Sequence, residues 1–228
     1  MANAPTNKAT FVRDQLREEI LKCRLLPGEK LKINELCATF SVTLGAVREA
    51  LTGLEGEGLV DLVDKKGFQV SAISRDELAE LTQARIEIEA ACMKLAIGSG
   101  GEAWEADIEE TLRVLLSERR TAEDSRKMDE DWSNAHSDFH LALVSACRNT
   151  FLLNVREKLY LQSERYRRLS IPGETSDRDV DKEHRELANA CLARDPDLAR
   201  DLIDVHLRNT ARLILKQATN PYLGEKAG

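Results

Sequence analysis

The stretch INELCATFSVTLGAVREALTGLEG, residues 33–56, decides the fold of the N-terminal part. Residues 33–40 predict a short helix, and residues 41–43 form a turn after it. Thr43 is a good N-cap for the next helix, because its hydroxyl can accept from an unpaired backbone N–H. That helix is expected to run to about Gly56. Two short helices around a tight turn predict a helix-turn-helix.

The flanking sequence completes this domain. Residues 10–24 have apolar side chains at helical spacing, and Pro27-Gly28 ends that helix. Downstream, LVDLV and FQVS, within residues 59–71, read as two short strands joined by a turn that ends in Gly67. The order helix, helix, turn, helix, hairpin predicts a winged helix-turn-helix over residues 1–72.

The rest of the chain, residues 73–228, predicts a second domain made of helices. Ser74 and Glu77 match the S-x-x-E capping box that opens a helix. No convincing strand follows, so the fold class is mainly α, with an all-α antiparallel bundle after the winged domain. Its six helices are expected at 75–97, 103–120, 126–147, 149–169, 178–193 and 196–217.

The charge is unevenly divided along the chain. The net charge is −7, but residues 1–73 hold ten basic and ten acidic side chains, so the acidity lies in the second part. The whole-chain charge therefore does not exclude DNA as a partner. Five widely spaced cysteines, no signal peptide and no membrane-length apolar run favour a reducing cytoplasm.

The second helix of a helix-turn-helix fits the major groove of DNA. Its first turns should therefore meet operator bases and phosphates, and two lysines at the wing tip can meet phosphate. One helix-turn-helix reads only a short half-site, so we expect a homodimer, with the acidic helices of the second part as the dimer surface. The predicted DNA-binding residues are Lys32, Asn34, Thr43, Leu44, Gly45, Ala46, Arg48, Lys65, Lys66 and Gly67.

Four motifs in the first seventy residues resemble the DNA-binding domain of GntR-family transcription regulators. They are LPGEKL (26–31), VREAL (47–51), LEGEGLV (54–60) and KGFQV (66–70). The resemblance implies that Arg48 contacts operator DNA and that Gly67 lies at the wing. The chain departs from the family at Leu44-Gly45-Ala46, where the family often has an arginine or another polar residue. Leu44 cannot hydrogen-bond a guanine, but it can touch a thymine methyl.

All four histidines lie in the second part. His136 and His140 are four residues apart and share a helix face, so both can meet one ion. His184 and His206 belong to two later helices, and facing helices of a bundle can gather such ligands around a metal. Against this, a histidine is more often an ordinary core or surface residue, and an HxxxH pattern arises by chance.

The second part resembles the FCD ligand-binding domain of the FadR subgroup. Phe139-His140 matches the family's D-x-x-F-H pattern, and the resemblance implies that His140, His184 and His206 bind a divalent metal. His136 stands where the family has Asp or Asn. We expect His136 to be the fourth ligand, which would make the site less anionic and favour Zn or Ni over Mn or Mg. The alternative is that His136 is not a ligand.

Arginines complete the expected pocket. Arg85 matches an R-x-x-x-E stretch of the family, and Arg165 and Arg167 flank a tyrosine on the fourth helix of the second part. A guanidinium binds a carboxylate through two parallel hydrogen bonds. A cavity that holds both a metal ion and an arginine would therefore suit a small carboxylate effector. The alternative is that these arginines are surface ion-pair partners. At most one of Arg165 and Arg167 is expected to face inward.

Three other functions fit parts of this sequence. A zinc protease is disfavoured because Ser137 stands where such enzymes have their catalytic glutamate, and no nucleophile–base pair or phosphate loop is evident. A metal sensor, in which the metal itself is the effector, would use the same ligands. A helical interaction module without DNA is disfavoured by the wing and the matched motifs. The sequence therefore predicts a DNA-binding regulator, a repressor rather than an enzyme.

Overall fold

The computed structural model describes residues 7–118, 130–169, 178–216 and 223–224. The chain forms two compact units. The first draws its described residues from Met1–Glu77, Leu161–Leu169 and Asn220–Gly228, and the second from Leu78–Tyr160 and Ser170–Thr219. In these ranges the helices are α1 (Lys8–Leu21), α2 (Ile33–Phe40), α3 (Leu44–Gly56), α4 (Arg75–Ser99), α5 (Glu102–Ser117), α6 (Glu130–Ala142), α7 (Thr150–Leu169), α8 (Val180–Leu192) and α9 (Pro196–Lys216).

The winged helix-turn-helix has the predicted order of elements. The Thr43 hydroxyl accepts from the N–H of Ala46 at 3.4 Å and begins α3, as its capping chemistry predicts. Strands β1 (Val60–Val63) and β2 (Gly67–Val70) pair antiparallel as the wing. The core of this unit consists of Val12, Leu16, Ile20, Leu31, Val47, Ala50, Leu51, Leu54, Leu59, Val60, Phe68 and Val70.

The second unit is helical, which confirms the predicted fold class. The core contains apolar residues from α4, α5, α6, α8 and α9, including Met93, Ile108, Phe139, Leu187 and Ile203. Parts of the predicted helices, residues 119–120, 126–129 and 217, lie outside the described residues. No helix in the part of the chain that the structure describes is both long enough and apolar enough to cross a membrane.

Helix α6 ends at Ala142, five residues before its predicted end. The carbonyl of Ala142 accepts from the indole N–H of Trp104 at 2.9 Å and from the Ser145 hydroxyl at 3.1 Å. The chain then continues in tighter turns, in which the Val144 N–H donates to the Leu141 carbonyl. The Ala142 carbonyl also accepts from the backbone N–H of Ser145 at 3.2 Å, so this turn and the two side-chain donors replace the helical partner that the carbonyl would need.

The expectation of no strand beyond residue 74 is wrong. Strand β4 (Leu223–Gly224) pairs in parallel with β3 (Ile73–Ser74). A two-residue strand is too short to show the alternation that reveals strands in a sequence. The capping box at the start of α4 is half formed, since the Ser74 hydroxyl accepts from the N–H of Glu77 at 3.1 Å.

Candidate metal centre and DNA-binding surface

Three helices of the second unit bring the four histidines together. Helix α6 supplies His136 and His140, α8 supplies His184 and α9 supplies His206. One ring nitrogen from each lies within 4.8 Å of the others, and all four side chains are buried. Two imidazole nitrogens bound to one ion at about 2.0–2.1 Å can be at most roughly 4.2 Å apart. The donor atoms would therefore have to move closer together to hold one ion.

His140 gives the clearest evidence that the cluster fits a metal ion. Both of its ring nitrogens are buried, and neither has a hydrogen-bond partner in the part of the chain that the structure describes. Burial, together with the neighbouring His206, His184 and arginines, lowers the pKa of His140 well below its ordinary value. A buried neutral imidazole without a partner is costly, but it is the form that binds a metal.

His206 is oriented by a carboxylate. Its Nδ1 lies 2.8 Å from Oε2 of Glu183, so the Nδ1 N–H donates and Nε2 keeps its lone pair. Arg178 donates to both oxygens of Glu183, at 2.7 and 2.5 Å, and to the His206 carbonyl at 2.9 Å. Burial raises the pKa of Glu183, but the hydrogen bonds from Arg178 and His206 outweigh it and lower the pKa to about 2.

Aromatic rings pack against the histidines. Trp132 stacks on His136 with ring centroids 4.9 Å apart, and Phe139 meets His184 edge-on at 5.3 Å. Trp132 and Phe139 are themselves buried. Their apolar surface shields part of the cluster from water, which strengthens electrostatic interactions inside it.

A network of charged side chains adjoins the cluster. Arg156 donates to Glu89 at 2.8 Å and to the backbone carbonyl of His140 at 2.9 Å, and Arg85 donates to Glu89 at 3.1 Å. Both guanidiniums lie over the ring of Tyr160, 5.2 and 5.4 Å from its centroid. The predicted Arg85 is therefore linked to His140 through Glu89 and Arg156.

Arg165 and Arg167 have other surroundings. Arg165 donates to the backbone carbonyl of Ser71, and Arg167 makes a bidentate ion pair with Glu164 at 2.6 and 2.5 Å. Both belong to the first unit, whereas the histidines belong to the second. These contacts engage both guanidiniums within the first unit, and the role of either arginine in effector binding stays a prediction.

The sequence did not reveal four members of this site: Arg156, Glu89, Arg178 and Glu183. Glu183 immediately precedes His184, and Glu89 lies one helical turn after Arg85. These spacings were visible, but a carboxylate beside a histidine is common on helix surfaces. The pairing of Glu183 with His206 joins two helices, so no local pattern could reveal it.

The predicted DNA-binding residues lie on the surface of the winged domain. Gly67, at the wing turn, has a φ of +83°, a backbone conformation that favours glycine. Leu44, at the first position of α3, is 50% exposed. Ala46 and Gly67 are half-buried, and the exposed members of the set are Lys32, Asn34, Thr43, Leu44, Gly45, Arg48, Lys65 and Lys66.

Comparison with known proteins shows the family. The model of the FCD domain matches residues 80–209, more than half of the chain, and the model of bacterial regulatory proteins of the gntR family matches residues 8–70. The chain belongs to the gntR family and carries an FCD domain. This gntR-family chain is a DNA-binding transcription regulator and not an enzyme, as its relatives indicate.

Two relatives are similar over most of their length. The HTH-type transcriptional repressor GlaR of Escherichia coli is 36% identical over 196 residues, which cover 84% of this chain and 89% of the relative. The uncharacterized HTH-type transcriptional regulator BphR of Paraburkholderia xenovorans is 35% identical over 208 residues, covering 91% and 84%. Escherichia coli McbR/YncC has the same fold, with a TM-score of 0.76 at 20% identity over 96% of this chain and all of that one.

Proposed function

We propose that this regulator is a repressor whose operator binding is controlled by a small carboxylate bound at a divalent metal ion. The metal ligands are His136, His140, His184 and His206. The observation that carries the proposal is the burial of four imidazoles from three helices with their donor atoms within 4.8 Å. Burying so many imidazoles is unfavourable unless something binds their lone pairs.

The donor set favours particular ions. Four neutral imidazoles suit Zn or Ni, whereas Mg and Mn prefer carboxylate and water oxygens. When bound, the ion supplies a positive charge that attracts an anion. The Glu183 carboxylate fixes the His206 ring for this role, since a ligating histidine usually donates its other N–H to such a group.

The arginines beside the histidines favour a carboxylate as effector. Arg85 and Arg156 place two positive charges beside the histidines, and both donate to the carboxylate of Glu89. A carboxylate is the group that a guanidinium binds most strongly, so these charges would favour an anionic effector over a neutral one. Arg85 is the residue proposed to bind the effector, and Arg156 and Tyr160 hold it in place.

The DNA-binding proposal assigns base and phosphate contacts to the first turns of α3 and to the wing. Arg48 is the main contact on α3, and Lys65 and Lys66 meet phosphate from the wing tip. The protein binds a palindromic operator as a homodimer. Repression is proposed because a relative 36% identical to this chain is named a repressor. The domain boundary near residue 72 separates the DNA-binding part from the effector part.

Calorimetry tests the effector. Zn²⁺-loaded protein is titrated with mono-, di- and tricarboxylates, and the titrations are repeated on Arg85→Ala and on chelated protein. We expect binding of at least one carboxylate, weakened at least tenfold by either change. Sugars or aromatic amines that bind while no carboxylate does would contradict the proposed pocket, although DNA binding would stand.

The metal is tested by elemental analysis. About one ion per chain is expected in protein purified without chelators, and none in His140→Ala. Asp138→Asn, an exposed residue on the same helix, is the matched control and should retain the ion. Absence of metal from the unmodified protein, with unchanged folding after chelation, would contradict the proposed site.

A second candidate is a metal-responsive regulator, in which the ion is the effector. The observation that favours it is the number of imidazoles. Four imidazoles occupy all four coordination positions of a tetrahedral ion and leave none for a carboxylate. Gel shifts at buffered free Zn²⁺ concentrations distinguish the two. Operator binding that follows free Zn²⁺ without any carboxylate would favour the metal sensor.

A further inference from the structure

The C-terminal half of α7, Leu161–Leu169, belongs to the same compact unit as the winged helix-turn-helix. We call this segment the clasp. The Tyr166 hydroxyl accepts from the backbone N–H of Ser74 at 3.2 Å and donates to Oε2 of Glu77 at 2.6 Å. Arg165 donates to the carbonyl of Ser71. The clasp therefore holds the residues 71–77 that follow the wing.

The clasp also meets the ends of two helices of the winged domain. Gln162 donates to the carbonyl of Glu57, just after α3, at 3.5 Å. Gly58 has a φ of +75°, which favours glycine, and a Cβ there would lie 2.3 Å from the end of the flexible Gln162 side chain, which would have to move aside. At the end of α1, the Cys23 thiol donates to the Arg165 carbonyl at 3.8 Å.

The other half of the same helix lies in the second unit and contacts the charged side chains beside the histidines. Arg156 donates to the carbonyl of His140, and the Tyr160 ring packs against the guanidiniums of Arg85 and Arg156. Helix α7 is continuous from Thr150 to Leu169. One hydrogen-bonded helix thus carries both the side chains that touch the candidate metal site and the clasp.

We infer that Tyr166 and Arg165 are positioning residues that transmit occupancy of the histidine cluster to residues 71–77. The inference rests on the proposed metal binding. Arg156 donates to the backbone carbonyl of His140, so a metal ion bound by His140 would alter the surroundings of Arg156 on α7, and the clasp would carry that change to the segment joining the wing and α4. Coupling of this kind requires a physical element that links the two sites, and α7 contacts both the His140 carbonyl and residues 71–77.

The test is hydrogen exchange of the full chain with and without Zn²⁺, alongside calorimetry with Zn²⁺. In the unmodified protein, Zn²⁺ should change exchange of residues 71–77. Tyr166→Phe keeps the ring but removes both hydrogen bonds, so exchange at Ser74 should speed up roughly tenfold. Its response to Zn²⁺ should disappear while Zn²⁺ affinity stays unchanged.

Two further variants complete the design. Gln162→Ala removes a clasp contact without touching Tyr166 and should weaken the response in part. Phe151→Ala alters a side chain on the same helix that is 83% exposed, and it should behave like the unmodified protein. Zn²⁺ binding without any response in residues 71–77, or a full response in Tyr166→Phe, would overturn the inference and leave metal binding intact. Absence of Zn²⁺ binding in calorimetry would refute the proposed metal site and the inference with it.

Discussion

The Nδ1 atom of His206, on α9, lies 2.8 Å from Oε2 of Glu183, on α8. A carboxylate can only accept, so the contact fixes both the tautomer and the orientation of the imidazole. Arg178 donates to both oxygens of the same carboxylate and keeps it ionised. The result is an imidazole whose remaining nitrogen is free to bind a metal and whose basicity is raised by its neighbour.

Replacing Glu183 with Gln should weaken metal binding without removing a ligand. The amide oxygen still accepts from His206, but it lacks the negative charge that makes the imidazole a stronger donor. We expect Zn²⁺ affinity to fall by about tenfold, the lower end of the range for such supporting groups. Competition with a fluorescent chelator measures the change. Glu186→Gln, on the same helix and outside this network, is the control, and equal affinities for the two variants would contradict the assigned role.

Arg156→Met should destabilise the fold. The substitution leaves Glu89 buried with only part of its ionic pairing and the His140 carbonyl without its guanidinium donor. Removing one partner of a buried ion pair costs about 3–5 kcal/mol, and Arg85 can compensate some of that, so we expect about 3 kcal/mol. Urea unfolding followed by circular dichroism measures the free energy of unfolding.

The control for that substitution is Arg113→Met. Arg113 pairs with Glu110 at 2.6 Å on an exposed helix surface, where its side chain is 68% exposed. Surface pairs contribute at most about 1 kcal/mol. If both variants lose the same small amount, the buried network does not stabilise the second unit as described.

How far the sequence predicts this molecule depends on the range of each interaction. Helix α3 was predicted to its last residue because Thr43 and Gly58 are local signals that bracket it. The end of α6 was missed because one donor to the Ala142 carbonyl there, the indole of Trp104, is distant in sequence. His136 and His140 were paired by their spacing, whereas Arg156 was missed because its partners, Glu89 and His140, lie on other helices.

Arg48→Ala should weaken operator binding while leaving the fold and Zn²⁺ binding intact. Arg48 is exposed on α3, and loss of one base contact costs roughly 1–3 kcal/mol. Fluorescence anisotropy at several salt concentrations separates the two kinds of contact, since loss of a phosphate contact also lowers the salt dependence. Glu55→Gln, exposed near the other end of α3, serves as the control. Unchanged affinity in Arg48→Ala at physiological salt would exclude the contact.

Leu44 should read the 5-methyl group of a thymine. It occupies the first position of α3 with half of its surface exposed. Its side chain has no polar atom, so it cannot hydrogen-bond a base edge. In the major groove, the thymine methyl is the feature that an apolar side chain can recognise.

The experiment needs the operator sequence first, which selection from random DNA would give. Each conserved thymine would then be replaced in turn by deoxyuridine, which lacks only the methyl. At one position the unmodified protein should lose about 0.8 kcal/mol, the value of one buried methyl-sized group. Leu44→Ala should bind the normal operator more weakly and should not discriminate between thymine and deoxyuridine there. If both proteins respond equally to every replacement, Leu44 does not contribute to base recognition.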